Sequence, residues 1–229
     1  MKTSFYDLNF DDLREFMHDN ALNESVASNL FNWHYKKKNL NKCSKDISKN
    51  ALALIDENFE FALPEIDLVH GSADKTVKFL FKLQDGSKVE SVLIPFHNKY
   101  SICLSSQVGC AMKCSFCFTG KQGLKRSLKT SEIVGQFLVA WNWLSKNRPG
   151  EERILNIVFM GQGEPLHNFD NVKTATEIFL EPNGLGLSQR KVTLSTSGLV
   201  PQIKKLWDFP PVNIAISLHA AHNDIRTEL

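Results

Sequence analysis

Buried strand-like segments alternate with amphipathic helical segments from Lys99 onward, and this alternation is the strongest constraint on the fold. The predicted strands cover residues 100–104, 155–160, 191–196 and 212–218. One helix is predicted to begin at Thr130, and two more are predicted over about residues 171–179 and over residues 200–207. Strands that alternate with helices pair in parallel through right-handed crossovers. The sequence therefore predicts an α/β fold over residues 99–229.

The first ninety-odd residues have a different character. Helical periodicity predicts a small helical module over residues 1–58. A β-hairpin extension is predicted over residues 59–98, with strands at 76–83 and 89–94 joined by the Asp85-Gly86 turn and closed by Pro95. We therefore expect three parts, which are residues 1–58, 59–98 and 99–229.

Four polar or cysteine-containing loops follow the four predicted parallel strands. They contain the cysteine run, residues 161–165, residues 195–198 and residues 217–219. Ligands bind at the carboxyl ends of the strands in parallel sheets, so we expect all four loops to lie around one site. Strand-end capping by small polar residues is the alternative for each loop taken singly.

Three closely spaced cysteines, Cys110, Cys114 and Cys117, carry the clearest chemical signal. Three thiolates can hold three corners of a four-iron cluster and leave the fourth iron without a protein ligand. A structural zinc ion prefers four ligands, often from two Cys-x2-Cys units, and the second unit is missing here. Cys43 matches no motif, and we interpret it as a bystander.

Composition indicates a globular protein of a reducing compartment. Hydrophobic residues make up 42% of the 229 residues and charged residues 23%, with no apolar run long enough to span a bilayer. The N-terminus is polar and lacks a secretory apolar region. We therefore expect a cytoplasmic location, where clustered cysteines are more often metal ligands than structural disulfides.

The net charge of +2 is small, but its distribution is uneven. Between residues 109 and 131 there is no acidic residue, whereas five are basic: Lys113, Lys121, Lys125, Arg126 and Lys129. Residues 36–38 are a second basic run, beside Trp33 and Tyr35. Both runs suit a nucleic-acid backbone, and a solvated surface is the alternative for each.

The spacing Cys-x3-Cys-x2-Cys, with Phe116 before the last cysteine, resembles the radical S-adenosylmethionine (SAM) superfamily. The resemblance implies a partial (β/α)6 barrel, which we expect to be incomplete here and to follow the helical module and the hairpin extension. It also implies a [4Fe–4S] cluster on the three cysteines and SAM on the open iron. One electron then cleaves the sulfonium and produces a 5′-deoxyadenosyl radical.

The other loops fit the SAM-binding positions of that superfamily. Gly163 and Glu164 resemble the loop that contacts the SAM amino group, and a carboxylate such as Glu164 can accept a charge-assisted bond from an ammonium. The remaining candidates for the ribose and carboxylate of SAM are Ser195, Ser217, Leu218 and His219.

Longer runs narrow the resemblance. Residues 103–110, 116–123, 163–166 and 194–198 resemble the RlmN/Cfr family of RNA adenine methyltransferases, in its C2 branch. This implies methylation of C2 of an adenine in 23S rRNA and of the adenine beside the anticodon in tRNA. It also implies an electron donor such as flavodoxin, a monomeric protein and a disulfide bond.

Two further residues gain roles from this resemblance. Cys103 matches the cysteine that helps resolve a protein–RNA adduct, and Glu90 matches the residue that takes the proton from the adenine carbon. Without the family resemblance, we would interpret Cys103 as a core residue and Glu90 as a surface residue. A radical SAM enzyme with another substrate, including C8 methylation, and a zinc-dependent RNA-binding module remain the alternatives.

The chain departs from this family in one respect. The family carries the methyl group on a cysteine in its C-terminal part, and no cysteine follows Cys117. The family's later strands, with a further SAM-contacting asparagine, also have no counterpart. We therefore expect a truncated chain that holds a cluster weakly at best and does not complete methyl transfer.

Overall fold

The structure is a computed structural model that describes residues 2–40, 46–97, 99–151 and 153–228, so Cys43 lies outside the described residues. The N-terminal part contains β1 (Thr3–Ser4), α1 (Phe10–Asp19), α2 (Ser25–Phe31), a π-helical turn (Asn32–Lys36), α3 (Lys49–Asn58) and β2 (Phe59–Glu60). β1 pairs in parallel with β2. Where it is described, the segment is largely helical, as its periodicity predicted.

Aromatic side chains form the core of this N-terminal part. Phe61 stacks on the His34 ring at 4.9 Å, and the Tyr6 hydroxyl lies 3.1 Å from His34 Nδ1. Burial lowers the pKa of His34 to about 4, so the ring is neutral near pH 7. The Asp7 carboxylate accepts a bond of 2.7 Å from the backbone N–H of Ser131. This contact joins the N-terminal part to the first turn of the helix over Thr130–Asn147.

A seven-stranded sheet makes up most of the rest. Its strands are β3 (Glu65–Gly71), β4 (Val77–Lys82), β5 (Lys88–Phe96), β6 (Lys99–Cys103), β9 (Ile154–Phe159), β10 (Val192–Thr196) and β11 (Asn213–Ile216), in the order β11-β10-β9-β6-β5-β4-β3. β6, β9, β10 and β11 are parallel, and β3 to β6 are antiparallel. The predicted α/β class and the partial barrel are confirmed.

The remaining elements connect these strands. They are β7 (Gln107–Val108), α4 (Phe118–Gln122), β8 (Arg126–Ser127), α5 (Thr130–Asn147), α6 (Phe169–Leu180), α7 (Val200–Ile203) and α8 (Asn223–Glu228). Nowhere in the described ranges is a helix both long and apolar enough to cross a membrane.

Four local predictions differ from the structure. The strand expected to close at Pro95 continues to Phe96 and pairs with β6. The buried strand predicted over residues 212–218 is β11, an edge strand in which Ile214 and Ile216 are exposed.

The predicted hairpin has a third strand, β3, which the sequence analysis missed because this edge strand is mostly exposed and contains a bulge, so it lacks a clean apolar alternation. The helix predicted over residues 200–207 ends at Ile203. Trp207 is 85% exposed, so no buried stripe extends that helix.

α5 and α6 cover one face of the sheet. The Phe137 ring of α5 lies 5.6 Å from that of Phe179 in α6. In β5, Val89, Ser91 and Leu93 are buried. Since side chains alternate along a strand, Glu90 points to the opposite face.

A buried amide joins α5 to the sheet. Gln136 is fully buried, and its Oε1 accepts bonds from the Ser91 hydroxyl and from the backbone N–H of Ser105. Its Nε2 donates to the carbonyl of Ser105. The Ser105 hydroxyl donates to the Glu90 carbonyl and accepts from the backbone N–H of Gln162. One side chain thus fixes the end of β6 relative to its neighbours.

Replacing Gln136 by leucine should destabilise the fold strongly. The change leaves buried donors and an acceptor of Ser91 and Ser105 without partners, which costs about 3 kcal/mol in the free energy of unfolding. Urea unfolding measures the change. Gln189→Leu, at an exposed position, is the control and should change stability by less than about 0.5 kcal/mol. Equal stability of the two variants would contradict this account of the network.

Candidate functional site

The cysteine loop leaves the sheet after β6 and is closed at its base. β7 pairs with β8 in antiparallel fashion. The backbone N–H of Cys110 donates to the Gly123 carbonyl at 3.2 Å, and that of Lys125 donates to the Val108 carbonyl at 2.9 Å. The buried Asn168 side chain donates to the carbonyls of Ser106 and Leu128, on both sides of this base. The loop is therefore held in one position by backbone groups.

The three cysteines line a single cavity of about 490 Å³, a volume typical of small-molecule sites. Burial raises the pKa of the Cys110 thiol; a hydrogen bond from the Met112 backbone opposes this, and nearby Cys114, Glu164 and Cys117 raise it further. In the part of the chain that the structure describes, no three His, Cys, Asp or Glu side chains converge on one metal-ion position. The three thiols line one cavity, whose volume has room for a group larger than one ion.

Glu164 is the buried carboxylate of this cavity, with only 3% of its surface exposed. Its Oε2 accepts bonds from the backbone N–H and the hydroxyl of Ser197, at 2.8 and 2.9 Å. Its Oε1 accepts from the Leu166 backbone N–H at 3.1 Å. The carboxylate therefore has a fixed orientation, held by donors from two different loops.

The glycine before Glu164 permits this placement. Gly163 has a φ of +99°, and a Cβ there would lie 2.6 Å from the Gln107 side chain. The close approach lets Gln107 Oε1 accept a bond of 3.0 Å from the Glu164 backbone N–H. Gln107 thereby connects the loop after β9 to the start of the cysteine loop.

The loops after β10 and β11 complete the cavity wall. The hydroxyl oxygens of Ser195 and Ser217 lie 3.4 Å apart, and the His219 ring lies 4.5 Å from that of Phe116. All four residues line the same cavity as the cysteines. Leu218 is not part of the lining and is 64% exposed. The four loops after the parallel strands therefore surround one space.

Glu90 and Cys103 lie elsewhere, on neighbouring strands of the sheet. Neither lines the cavity. Val92 of β5 faces Cys103 of β6, and Glu90 lies two residues before Val92, so Glu90 and Cys103 share one face of the sheet. A Glu90 oxygen lies 3.0 Å from Lys78 Nζ. Burial raises the pKa of the Cys103 thiol, and a backbone hydrogen bond from Met160 lowers it in part.

All four described cysteines are free thiols, so the implied disulfide is not formed among Cys103, Cys110, Cys114 and Cys117.

Sequence analysis missed two residues that organise the site, Gln107 and Ser197. Ser197 belongs to the Ser195–Gly198 loop, where Ser195 alone was selected. A second hydroxyl at a strand end could have identified it. Gln107 precedes the first cluster-type cysteine by three residues, and no spacing rule indicates its contact with Glu164.

Comparison with known proteins agrees with this geometry. The family model of the Radical SAM superfamily matches residues 104–229. Over 209 residues the chain is 46% identical to the Probable dual-specificity RNA methyltransferase RlmN of Aquifex aeolicus (strain VF5), covering 89% of this chain and 58% of the relative. It is 46% identical over 190 residues to the Dual-specificity RNA methyltransferase RlmN of Paracoccus denitrificans (strain Pd 1222), covering 80% and 49%.

A solved structure is also similar. The crystal structure of a radical SAM methyltransferase from Sphaerobacter thermophilus has a TM-score of 0.86 and 32% identity, covering 99% of this chain and 67% of that one. The chain spans about half the length of the curated relatives it matches. Because the family model matches more than half of the chain, in a segment that contains all three clustered cysteines, the chain belongs to the radical SAM superfamily.

Proposed function

We propose that the protein is a radical SAM methyltransferase acting on C2 of an adenine in 23S rRNA and of the adenine beside the anticodon in tRNA. One observation carries the proposal. Three thiols and a buried carboxylate line one cavity, in a chain 46% identical to relatives named as dual-specificity RNA methyltransferases. C8 methylation, another substrate and a zinc-dependent RNA-binding module are the competing functions, and no observation favours them.

Membership of the superfamily implies a [4Fe–4S] cluster and SAM as cofactors. In our proposal, Cys110, Cys114 and Cys117 hold the cluster as thiolates. When bound, the cluster supplies an electron and an open coordination position for SAM. The loop base described above keeps the thiols in place, and the buried position of Cys110 limits the access of water.

The remaining cavity residues orient SAM. Glu164 accepts a bond from its ammonium group, for which the fixed carboxylate is suited. The ribose and carboxylate of SAM are bound by Ser195 near the end of β10 and by Ser217 and His219 after β11, whereas Leu218, between the latter two, lies outside the cavity lining. Gly163 contributes because the absence of a Cβ lets the Glu164 loop approach the Gln107 side chain closely.

Glu90 and Cys103 act on the RNA side of the reaction. Glu90 takes the proton from the adenine carbon, and its carboxylate lies 3.0 Å from Lys78 Nζ. Cys103 helps to resolve the adduct between protein and RNA, which is the role of the matching cysteine in this family. The cysteine that carries the methyl group in this family has no counterpart among these 229 residues.

The partners follow from the same proposal. They are 23S rRNA, tRNA and an electron donor such as flavodoxin, and the protein acts as a monomer in the cytoplasm, where these RNAs are found.

Replacing a cluster cysteine should remove iron. After anaerobic reconstitution, Cys114→Ser should hold much less iron and sulfide than the unmodified chain and lose its broad visible absorption, because two thiolates remain. Cys103→Ser is the matched control and should keep the iron of the parent chain. Loss of iron from the control alone, or zinc in place of iron, would contradict the assignment.

Replacing Glu164 by glutamine should weaken SAM binding by about tenfold to a hundredfold, since a hydrogen bond to a charged group contributes about 1.5–3 kcal/mol. Equilibrium dialysis with labelled SAM on the reconstituted chain measures this. Glu181→Gln is the control, because Glu181 also accepts a bond from the backbone two residues ahead but lies outside the cavity. An unchanged dissociation constant for Glu164→Gln would remove its proposed role.

Deleting the gene should remove 2-methyladenosine from 23S rRNA and tRNA of the source cells, provided that its reading frame also encodes the methyl-carrying cysteine that these 229 residues lack. Mass spectrometry of nucleosides measures this, and the gene with Cys114→Ser should fail to restore the modification. Loss of 8-methyladenosine would favour the C8 alternative, and unchanged methyladenosine would contradict the proposed reaction.

A further inference from the structure

A basic surface with an exposed aromatic ring lies on the cysteine loop, beside the cavity. We call it the loop patch, and its residues are Lys113, Phe118, Lys121, Leu124 and Lys125. Phe118 is 77% exposed and Leu124 43% exposed. The three lysines are exposed as well. An exposed aromatic ring within a positively charged loop can stack on an unpaired base.

The lysines of the loop patch are free to bind an anion. Among the described residues, none of Lys113, Lys121 and Lys125 forms an ion pair. Arg126, the next basic residue along the chain, is by contrast bound to Asp85 and Glu132. With no acidic residue between 109 and 131, the patch has positive charge that the loop itself does not neutralise.

The patch is held in a defined position. α4 packs closely against the cysteine loop at Gly120, where a Cβ would lie only 3.0 Å from the Cys114 backbone nitrogen. The backbone N–H of Lys121 donates to the Cys117 carbonyl. Phe118 and Lys121 are three residues apart on α4, so their side chains are neighbours. The ring and this charge are therefore presented together.

Cys117 lines the cavity and Phe118 follows it directly in the chain, so the patch begins next to a cavity residue. We propose that the loop patch binds a single-stranded segment of the substrate RNA, with Phe118 stacking on an unpaired base and the lysines contacting the adjacent phosphates. This inference rests on the proposed function. Sequence-tolerant single-strand sites combine these two features, an aromatic platform and a positive track.

A protein partner fits the patch less well. Lysine is depleted in the buried centres of protein–protein interfaces, and here three unpaired lysines accompany one aromatic ring and one leucine. The charge favours a polyanion, and the exposed ring favours one with accessible bases.

The test is RNA binding by the whole 229-residue chain, measured by fluorescence anisotropy. One probe is a hairpin with unpaired adenines in its loop, and the other is a fully paired RNA duplex. Phe118→Ala should weaken hairpin binding about tenfold and leave duplex binding unchanged, since only unpaired bases stack on the ring. The double variant Lys121→Gln/Lys125→Gln should weaken binding to both probes. It should also reduce the slope of log K against log salt by about 1.4 for single strands, because two phosphate contacts are lost.

The chain supplies a control that also combines lysines with an aromatic ring. Lys204, Lys205 and Trp207 are exposed after α7, and none of them lines the cavity. Trp207→Ala and Lys204→Gln/Lys205→Gln should leave hairpin affinity unchanged.

Equal hairpin affinity of Phe118→Ala and the parent chain, or absence of RNA binding by the parent chain, would overturn the inference. An equal loss in the α7 control variants would do the same, since the charge would then act without a defined site. None of these outcomes affects the iron, SAM and nucleoside tests of the proposed function, so failure of the two proposals can be told apart.

Discussion

The buried side chain of Gln136 is the contact on which the arrangement of the site most depends. Its amide satisfies both backbone groups of Ser105, at the point where the chain leaves β6 for the cysteine loop. An irregular backbone segment cannot be buried without such partners, because each unpaired group costs about 1–3 kcal/mol. One side chain of α5 therefore provides the hydrogen bonds that a neighbouring strand would otherwise make with the backbone of Ser105.

The connection extends from that point into the site. The Ser105 hydroxyl accepts a bond from the backbone N–H of Gln162, in the loop after β9. In the same loop, the backbone N–H of Glu164 donates to the side-chain oxygen of Gln107. Glu164 in turn accepts from Ser197, in the loop after β10. Three loops that are distant in sequence are thus joined by consecutive hydrogen bonds between buried or half-buried groups. Such a chain fixes the spacing between the cysteine loop and the carboxylate more firmly than any single contact.

Sequence could predict the parallel strands because each is rich in apolar residues and adjoins a helix signal; three of them are largely buried, whereas β11 at the edge of the sheet is mostly exposed. It could also predict that the loops after them meet, since that follows from parallel pairing alone. It could not predict β3, whose exposed side chains carry no alternation, or the partners of Gln107 and Ser197. Those contacts depend on how closely two loops approach, and at Gly163 the approach is set by a positive φ that sequence does not reveal.

The environment of Glu164 has a consequence for what enters the cavity. The carboxylate is nearly buried and accepts three bonds from N–H and O–H groups, yet no lysine, arginine or histidine forms an ion pair with it in the described ranges. A buried charge without a counter-charge is costly, and polar donors offset only part of that cost. A ligand that carries a positive charge would offset the rest of that cost. The ammonium of SAM has that charge, and the lysines of the cysteine loop do not line the cavity.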